Sequence, residues 1–136
     1  NTTIRQMAFS KLDLFLHREW AKSLSGGLEE ALQNELGKFL PKRKSTPRTI
    51  ALRFSHLFSS PIGYAAAYYS YKWAEVLDAD AFTRFQSEGV MNPSTGRDFR
   101  DKILSKGNAE PPEKLYRDFM GRDPQVDALL SRSGLA

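Results

Sequence analysis

Three tyrosines recur at helical spacing in the middle of the chain. Tyr64, Tyr68 and Tyr71 occupy positions i, i+4 and i+7, so in an α-helix their side chains would fall within about 60° of one another. Three phenols on one face bring three hydroxyl groups, which need hydrogen-bond partners if that face is buried. The pattern is compatible first with a packed core, and also with a polar-lined cleft whose O–H groups meet a ligand. The spacing alone leaves both interpretations open.

The chain has two histidines, and neither belongs to a recognised metal motif. His56 precedes the tyrosines across a loop of serine, proline and glycine, and His17 lies near the end of the first predicted helix. An H-E-x-x-H sequence, a glycine-rich phosphate loop and a G-x-S-x-G elbow are all missing, and there is no cysteine. The residues therefore predict no metal site within the chain and no complete catalytic apparatus.

Composition predicts one globular domain. The chain has 136 residues, 40% hydrophobic and 26% charged, which suits a single helical domain over 1–136. No apolar run approaches the roughly 20 residues that span a bilayer, so we expect no membrane contact. The lack of cysteine favours the interior of a cell.

Helical periodicity dominates, and no segment of five or more residues alternates in the manner of a half-buried strand. The sequence therefore predicts an all-α fold with no sheet. The expected elements are two helices within 1–40 (3–20 and 28–40), a basic, Gly/Pro-containing loop region over 41–63 with a helical piece over 48–58, a long tyrosine-bearing helix over 64–88, and three short helices within 89–136. On the long helix, Tyr69, Trp73 and Val76 form a second stripe, and we assign Tyr69 and Trp73 to the core. The three short helices are predicted to begin near Ser94 or Thr95 after Asn92-Pro93, at Pro111-Pro112-Glu113, and after an Asp123 N-cap with Pro124 at the first helical position.

The net charge of +4 is concentrated in one segment. Residues 1–40 carry five basic and five acidic side chains, and residues 61–136 carry ten and eleven. The 41–60 segment has five basic side chains and no acid: Lys42, Arg43, Lys44, Arg48 and Arg53. A nucleic-acid contact through this segment would show steep salt dependence. We favour a solvated loop and do not expect a nucleic-acid partner.

Several runs of sequence resemble one family. The run F-S-H-L-F at 54–58, the run G-Y-A-A-A-Y-Y-S-Y-K-W-A-E-V-L at 63–77 and the run G-R-D-P-Q-V-D-A-L-L at 121–130 resemble the C-terminal part of the oligopeptidase A and thimet oligopeptidase family. These are zinc metallopeptidases that cut short peptides. In that family the H-E-x-x-H motif and a further glutamate ligand precede the region resembled here, and this chain contains neither.

The resemblance implies that the chain is the C-terminal portion of a zinc metallo-oligopeptidase of the cytoplasm. Zinc would be held by an N-terminal metal-bearing portion of the same enzyme, with no metal expected on this chain, which would be inactive alone. Short peptides are the implied substrates. A different class of function stays open: a stand-alone helical module that binds a peptide or protein without catalysis.

The resemblance also assigns roles to individual residues. It implies that His56 and Tyr68 donate hydrogen bonds to the carbonyl oxygen that gains charge during hydrolysis. It implies that Tyr64 and Tyr71 contact the substrate backbone or the same oxygen, and that Gly63 belongs to a flexible substrate-contacting loop. The family has two adjacent glycines before the first tyrosine, whereas this chain retains only Gly63, in a longer loop.

Overall fold

A computed structural model describes residues 2–22, 27–41, 44–45 and 48–135. Six α-helices form in this part of the chain: α1 (Thr2–Arg18), α2 (Leu28–Leu36), α3 (Ser70–Glu88), α4 (Pro93–Phe99), α5 (Pro112–Met120) and α6 (Asp127–Arg132). Short 3-10 turns cover Trp20–Lys22, Ala51–Arg53 and Ser55–Leu57, and a π turn over Arg100–Leu104 continues α4. These ranges contain no strand, so the all-α prediction is confirmed.

The chain groups into two compact units, Asn1–Lys72 and Trp73–Ala136. The core of the first unit combines α1 and α2 with the two central 3-10 turns: its buried residues are Ala8, Leu12, Leu32, Leu36, Ala51, Phe54, Leu57 and Tyr68. In the second unit Val76 and Ala79 of α3 pack with Leu129 of α6. Four phenylalanine rings form a further cluster there: Phe82, Phe85, Phe99 and Phe119.

The long helix starts six residues later than its sequence predicts. It begins at Ser70 rather than Tyr64, and residues 64–69 form turns. In a helix the Tyr68 N–H would donate to the Tyr64 carbonyl, but here it donates to the carboxylate of Asp13 in α1. The Tyr64 carbonyl instead accepts from Ala67 N–H at 2.5 Å. A hydrogen bond across 55 positions of sequence therefore replaces the helical one.

Other boundaries also differ from the prediction. Helix α1 covers Thr2–Arg18 rather than residues 3–20. Helix α2 ends at Leu36 instead of residue 40, because Gly37 follows and glycine costs about 1 kcal/mol in a helix. The helical piece expected over 48–58 is two separate 3-10 turns, since Phe54 between them has ψ 52°, outside the helical region. Helix α6 begins at Asp127 rather than Pro124.

The late start of α6 has a tertiary cause. The N–H of Gln125 donates to Asp80 Oδ2 at 2.9 Å, and Asp123 pairs with Arg117 at 2.5 Å instead of capping a helix. The segment before α6 is therefore held by side chains of other elements. Helix α5 has the predicted start, with Pro112 at its first position and Pro111 just before it. Helix α4 begins at Pro93, one or two positions before the predicted Ser94 or Thr95, and the Asn92 side chain caps it by accepting Ser94 N–H at 2.9 Å.

Candidate functional site

His56 is presented at the surface of the first unit by a short turn. The 3-10 turn Ser55–Leu57 is fixed by Leu57, which is 1% exposed in the core, while His56 itself is exposed. The imidazole packs edge-on against the Phe54 ring at 4.6 Å and against the Tyr64 ring at 5.0 Å between centroids. The rings of Phe54 and Tyr64 therefore orient the His56 imidazole beside the tyrosines.

Tyr64 reaches this position through a tight turn rather than through a helix. Ala67 N–H closes the turn on the Tyr64 carbonyl, and Ala66 adopts φ +66°, in the left-handed region that residues other than glycine seldom enter. The turn folds the Tyr64 ring onto Tyr71, in the first turn of α3: the rings are stacked, 5.9 Å apart at 18°.

The hydroxyl groups of Tyr64 and Tyr71 contact each other directly. Tyr71 is 46% exposed, so the pair faces solvent. The hydrogen bond with Tyr64, with a smaller contribution from burial, raises the pKa of Tyr71 above the usual 10. Two phenols carry two protons and only one is used between them, so the pair keeps one O–H that can donate to a ligand.

Tyr68 is the buried member of the set. It is 8% exposed, its O–H donates to Gln6 Oε1 at 2.9 Å and its backbone N–H donates to Asp13 Oδ2 at 2.8 Å. Burial raises the pKa of Tyr68. Its ring still contacts the other members, 5.2 Å from Tyr71 and 6.2 Å from His56. The phenol is therefore a packed part of the cluster with its one proton committed to Gln6.

The structure thus brings four of the five predicted site residues together: His56, Tyr64, Tyr68 and Tyr71. We call these four residues the tyrosine cluster. They do not lie along one helix face as the spacing predicts, because Tyr64 and Tyr68 precede α3. Gly63 lies in the exposed turn before Tyr64, where its N–H donates to Ser60 O at 3.3 Å and its φ is not positive.

Two side chains of α1 that sequence analysis missed complete the surroundings of the cluster. Gln6 and Asp13 stand seven residues apart and face Tyr68 together. The available sequence signal was the position of Asp13 among the apolar residues of the helix, directly after Leu12. In the structure its side chain is 0% exposed. That signal marks a buried polar residue without revealing its partner.

The second stripe is a correction to the sequence analysis. Tyr69 and Trp73 are predicted to be core residues, yet they are 54% and 53% exposed. Tyr69 lies in the turn before α3, and of the predicted stripe only Val76 is buried, beside Ala79 and Asp80 on the side of α3 that packs inward. Helical spacing identified the apolar residues but not which of them the fold covers.

The described side chains do not fit a zinc ion. Within the part of the chain that the structure describes, no three His, Asp or Glu side chains converge as a possible metal site. The ring neighbours of His56 are Phe54, Tyr64 and Tyr68, which are not zinc ligands of the usual kind. No helix in the same ranges is long and apolar enough to cross a membrane.

A shallow polar cleft lies in the second unit, and none of the predicted site residues lines it. Its walls include Thr83, Arg84, Glu88 and Lys102. Arg84 is already paired with Glu88 at 2.9 Å and Asp98 at 2.8 Å, and its guanidinium lies over the Phe119 ring. These charges satisfy one another, so we do not assign chemistry to this cleft.

In the basic segment, Lys44, Arg48 and Arg53 are exposed, in keeping with a solvated surface. The predictions for Lys42 and Arg43 lie outside the described residues.

Comparison with known proteins identifies the family. Residues 1–135 match the sequence profile of "Peptidase family M3". The chain belongs to this peptidase family. It is 42% identical to oligopeptidase A of Escherichia coli over 137 residues and 40% identical to oligopeptidase A of Haemophilus influenzae over 132 residues, in each case covering 97% of the chain and 19% of the relative. A relative from Arabidopsis thaliana, named probable cytosolic oligopeptidase A, is 38% identical over 98% of the chain and 19% of its own length.

The M3 chain therefore spans about a fifth of the length of these relatives. The resemblance found in the sequence runs is confirmed at the level of the family. Membership supports a role connected with peptide hydrolysis.

Proposed function

We propose that the chain is the C-terminal portion of a zinc metallo-oligopeptidase that hydrolyses short peptides in the cytoplasm. The relatives are oligopeptidases several times longer than this chain, which supports a role as one part of such an enzyme. In this proposal the zinc ligands belong to polypeptide beyond these 136 residues, and the chain without that polypeptide has no peptidase activity. The zinc-bearing part supplies the activated water, and the residues described here bind and orient the peptide.

The observation that carries the proposal is the convergence of hydrogen-bond donors at one exposed point. The Tyr64–Tyr71 pair keeps one phenol O–H unused, and the His56 imidazole packs against Tyr64 at 5.0 Å. Both residues of the pair and His56 reach solvent to some extent. A substrate carbonyl that approaches this point would meet donors from two different segments of chain.

Such donors suit the chemistry of peptide hydrolysis. Negative charge builds on the carbonyl oxygen as the tetrahedral species forms, and a fixed donor that meets it stabilises the transition state more than the bound peptide. The raised pKa of Tyr71 keeps its hydroxyl protonated through neutral and mildly alkaline pH. The proton that Tyr71 shares with Tyr64 therefore stays in place over the range in which peptidases work.

Tyr68 requires a further step to fill the donor role. Its proton is bonded to Gln6 in this structure, so it can donate to a substrate oxygen only by exchanging partners. We keep Tyr68 with His56 as proposed oxyanion donors, and Tyr64 and Tyr71 as groups that contact the peptide backbone or the same oxygen. The loop with Gly63 is proposed to contact the peptide next to them.

The test uses the peptidase that contains this chain, with a short fluorogenic peptide as substrate. Tyr68→Phe and Tyr71→Phe each remove one O–H and keep the ring, so we expect kcat to fall by about 100-fold to 1,000-fold for a true donor, with KM changing little. Tyr69→Phe is the matched control, because this exposed tyrosine precedes the same helix and should leave kcat unchanged. Unaltered turnover in both Tyr68→Phe and Tyr71→Phe would refute the donor proposal.

A further inference from the structure

Asp13 of α1 occupies an unusual position for a carboxylate. It is 0% exposed, and its Oδ2 accepts the backbone N–H of Tyr68 at 2.8 Å. Its other oxygen, Oδ1, lies 2.8 Å from His17 Nδ1, an ion-pair distance, but no described donor meets Oδ1 in good hydrogen-bond geometry. Burying a charged group is costly unless it is paired or bonded. The free-energy cost of burying this carboxylate must therefore be offset by the interactions that it makes.

The interaction of Asp13 with Tyr68 acts on the segment before α3. Residues 64–69 include three consecutive alanines and are expected to extend α3, yet they form turns. By accepting Tyr68 N–H, Asp13 removes the donor that would otherwise close a helical turn on Tyr64. The chain can then reverse through Ala66 and lay the Tyr64 ring on Tyr71.

Two neighbouring side chains of α1 reinforce the same contact. Gln6 accepts the Tyr68 O–H, and Phe9 packs edge-on against the Tyr68 ring at 6.0 Å. His17, beside Asp13, stacks on Phe58 at 5.1 Å, two residues after His56. One face of α1 therefore touches Tyr68 at both its backbone and its hydroxyl, and touches the segment that carries His56.

We propose that Asp13 is a positioning residue for the tyrosine cluster. Its carboxylate holds residues 64–69 in the turn conformation, and so sets the Tyr64–Tyr71 contact. It touches neither substrate nor reacting atoms. This inference rests on the proposed function only in its final step, from the geometry of the cluster to turnover.

The first test measures the hydrogen bond between Tyr68 N–H and Asp13 without any assay of catalysis. Amide hydrogen exchange of Tyr68 is compared between the wild-type chain and the Asp13→Ala, Asp13→Asn and Ser10→Ala variants. Loss of the acceptor in Asp13→Ala should speed Tyr68 exchange about tenfold or more, whereas asparagine keeps a carbonyl oxygen of the same shape and should restore much of the protection. Ser10→Ala is the matched control, because Ser10 is also buried in α1 but bonds only to Gln6 O of its own helix. Unchanged Tyr68 exchange in Asp13→Ala would overturn the inference.

A second measurement separates positioning from general loss of structure. An NMR titration of tyrosines labelled with 13C at Cζ, which resolves each phenol, should show Tyr71 ionising at lower pH in Asp13→Ala, because its bond with Tyr64 is lost, and near the wild-type pH in Asp13→Asn. A chain that was merely destabilised but still folded would keep the wild-type titration of Tyr71, and that result would contradict the inference.

The third readout is kcat in the complete peptidase. We expect Asp13→Ala to lower kcat at least tenfold with a smaller change in KM, Asp13→Asn to recover most of it, and Ser10→Ala to match wild type. If Tyr68 exchange accelerates while kcat stays unchanged, and Tyr71→Phe does lower kcat, the link from Asp13 to the site is wrong and the proposed function stands. If neither Tyr68→Phe nor Tyr71→Phe lowers kcat, the proposed function fails, while the exchange data still decide whether Asp13 holds the turn.

Discussion

Asp80 provides the sharpest test of the energetics of the second unit. The carboxylate is 2% exposed and receives a bidentate contact from Arg122 at 2.6 and 2.7 Å. Tyr116 O–H donates to it at 2.6 Å and Gln125 N–H donates at 2.9 Å. These bonds join α3 to α5 and to the segment before α6. The perturbation is Asp80→Asn, which keeps the shape and removes the charge.

The size of the effect follows from the pKa of Asp80. The hydrogen bonds of Arg122, opposed by burial and assisted by Tyr116 and Gln125, lower this pKa from 3.8 to about 2. At about 1.4 kcal/mol per unit, the difference stabilises the folded, ionised form by about 2.5 kcal/mol. Because Asp80 is buried, screening by solvent reduces this stabilisation only a little. We therefore expect Asp80→Asn to lower the free energy of unfolding by about 2–4 kcal/mol at pH 7.

The pH dependence has a definite sign. A carboxyl whose folded pKa is depressed contributes stability that is fully present above its unfolded pKa, here 3.8, and is lost as the pH falls through about 2. The difference in the free energy of unfolding between wild type and Asp80→Asn should therefore stay constant from pH 7 to about pH 5 and decrease steadily below pH 4.

Urea denaturation followed by circular dichroism at several pH values measures this difference. Asp78→Asn is the matched control, since Asp78 lies two residues away on α3 and pairs with Arg132 at 2.7 Å, but its side chain is 70% exposed. Exposed pairs contribute about 0–1 kcal/mol, so this variant should be close to wild type. The reasoning would be refuted if the two variants lost equal amounts of unfolding free energy. It would also be refuted if the loss for Asp80→Asn did not decrease in acid.

Two further predictions concern the turn that builds the tyrosine cluster. Tyr64→Phe removes the hydroxyl that raises the pKa of Tyr71, so the Tyr71 phenol should ionise at lower pH in an NMR titration of 13Cζ-labelled tyrosines, whereas Tyr69→Phe should leave Tyr71 unchanged. An unmoved Tyr71 titration in Tyr64→Phe would show that the two hydroxyls do not interact. Ala66→Gly relieves a left-handed conformation that costs alanine about 1 kcal/mol, so it should raise the thermal midpoint slightly. Ala65→Gly should not raise it. A lower midpoint for Ala66→Gly would contradict the φ of +66°.

The sequence selected residues that the structure brings together, but not their arrangement. Helical spacing singled out Tyr64, Tyr68 and Tyr71, the resemblance to the family added His56, and all four rings meet in the fold. The route to that arrangement was missed. Helical spacing put the phenols along one rod, while a reversal at residues 64–69 stacks Tyr64 on Tyr71 instead.

The sequence by itself determined that the chain is helical, since apolar residues at three- and four-residue steps can cover a core only as helices. It also marked the start of α5, because Pro111 and Pro112 restrict the backbone of their own neighbours. Tertiary structure alone decided where α3 and α6 begin. In each case a buried carboxylate from a distant part of the chain, Asp13 or Asp80, accepts a backbone N–H that local preference would place in a helix. Local propensity is worth only tenths of a kcal/mol per residue, so one such hydrogen bond to a charged, buried acceptor outweighs it.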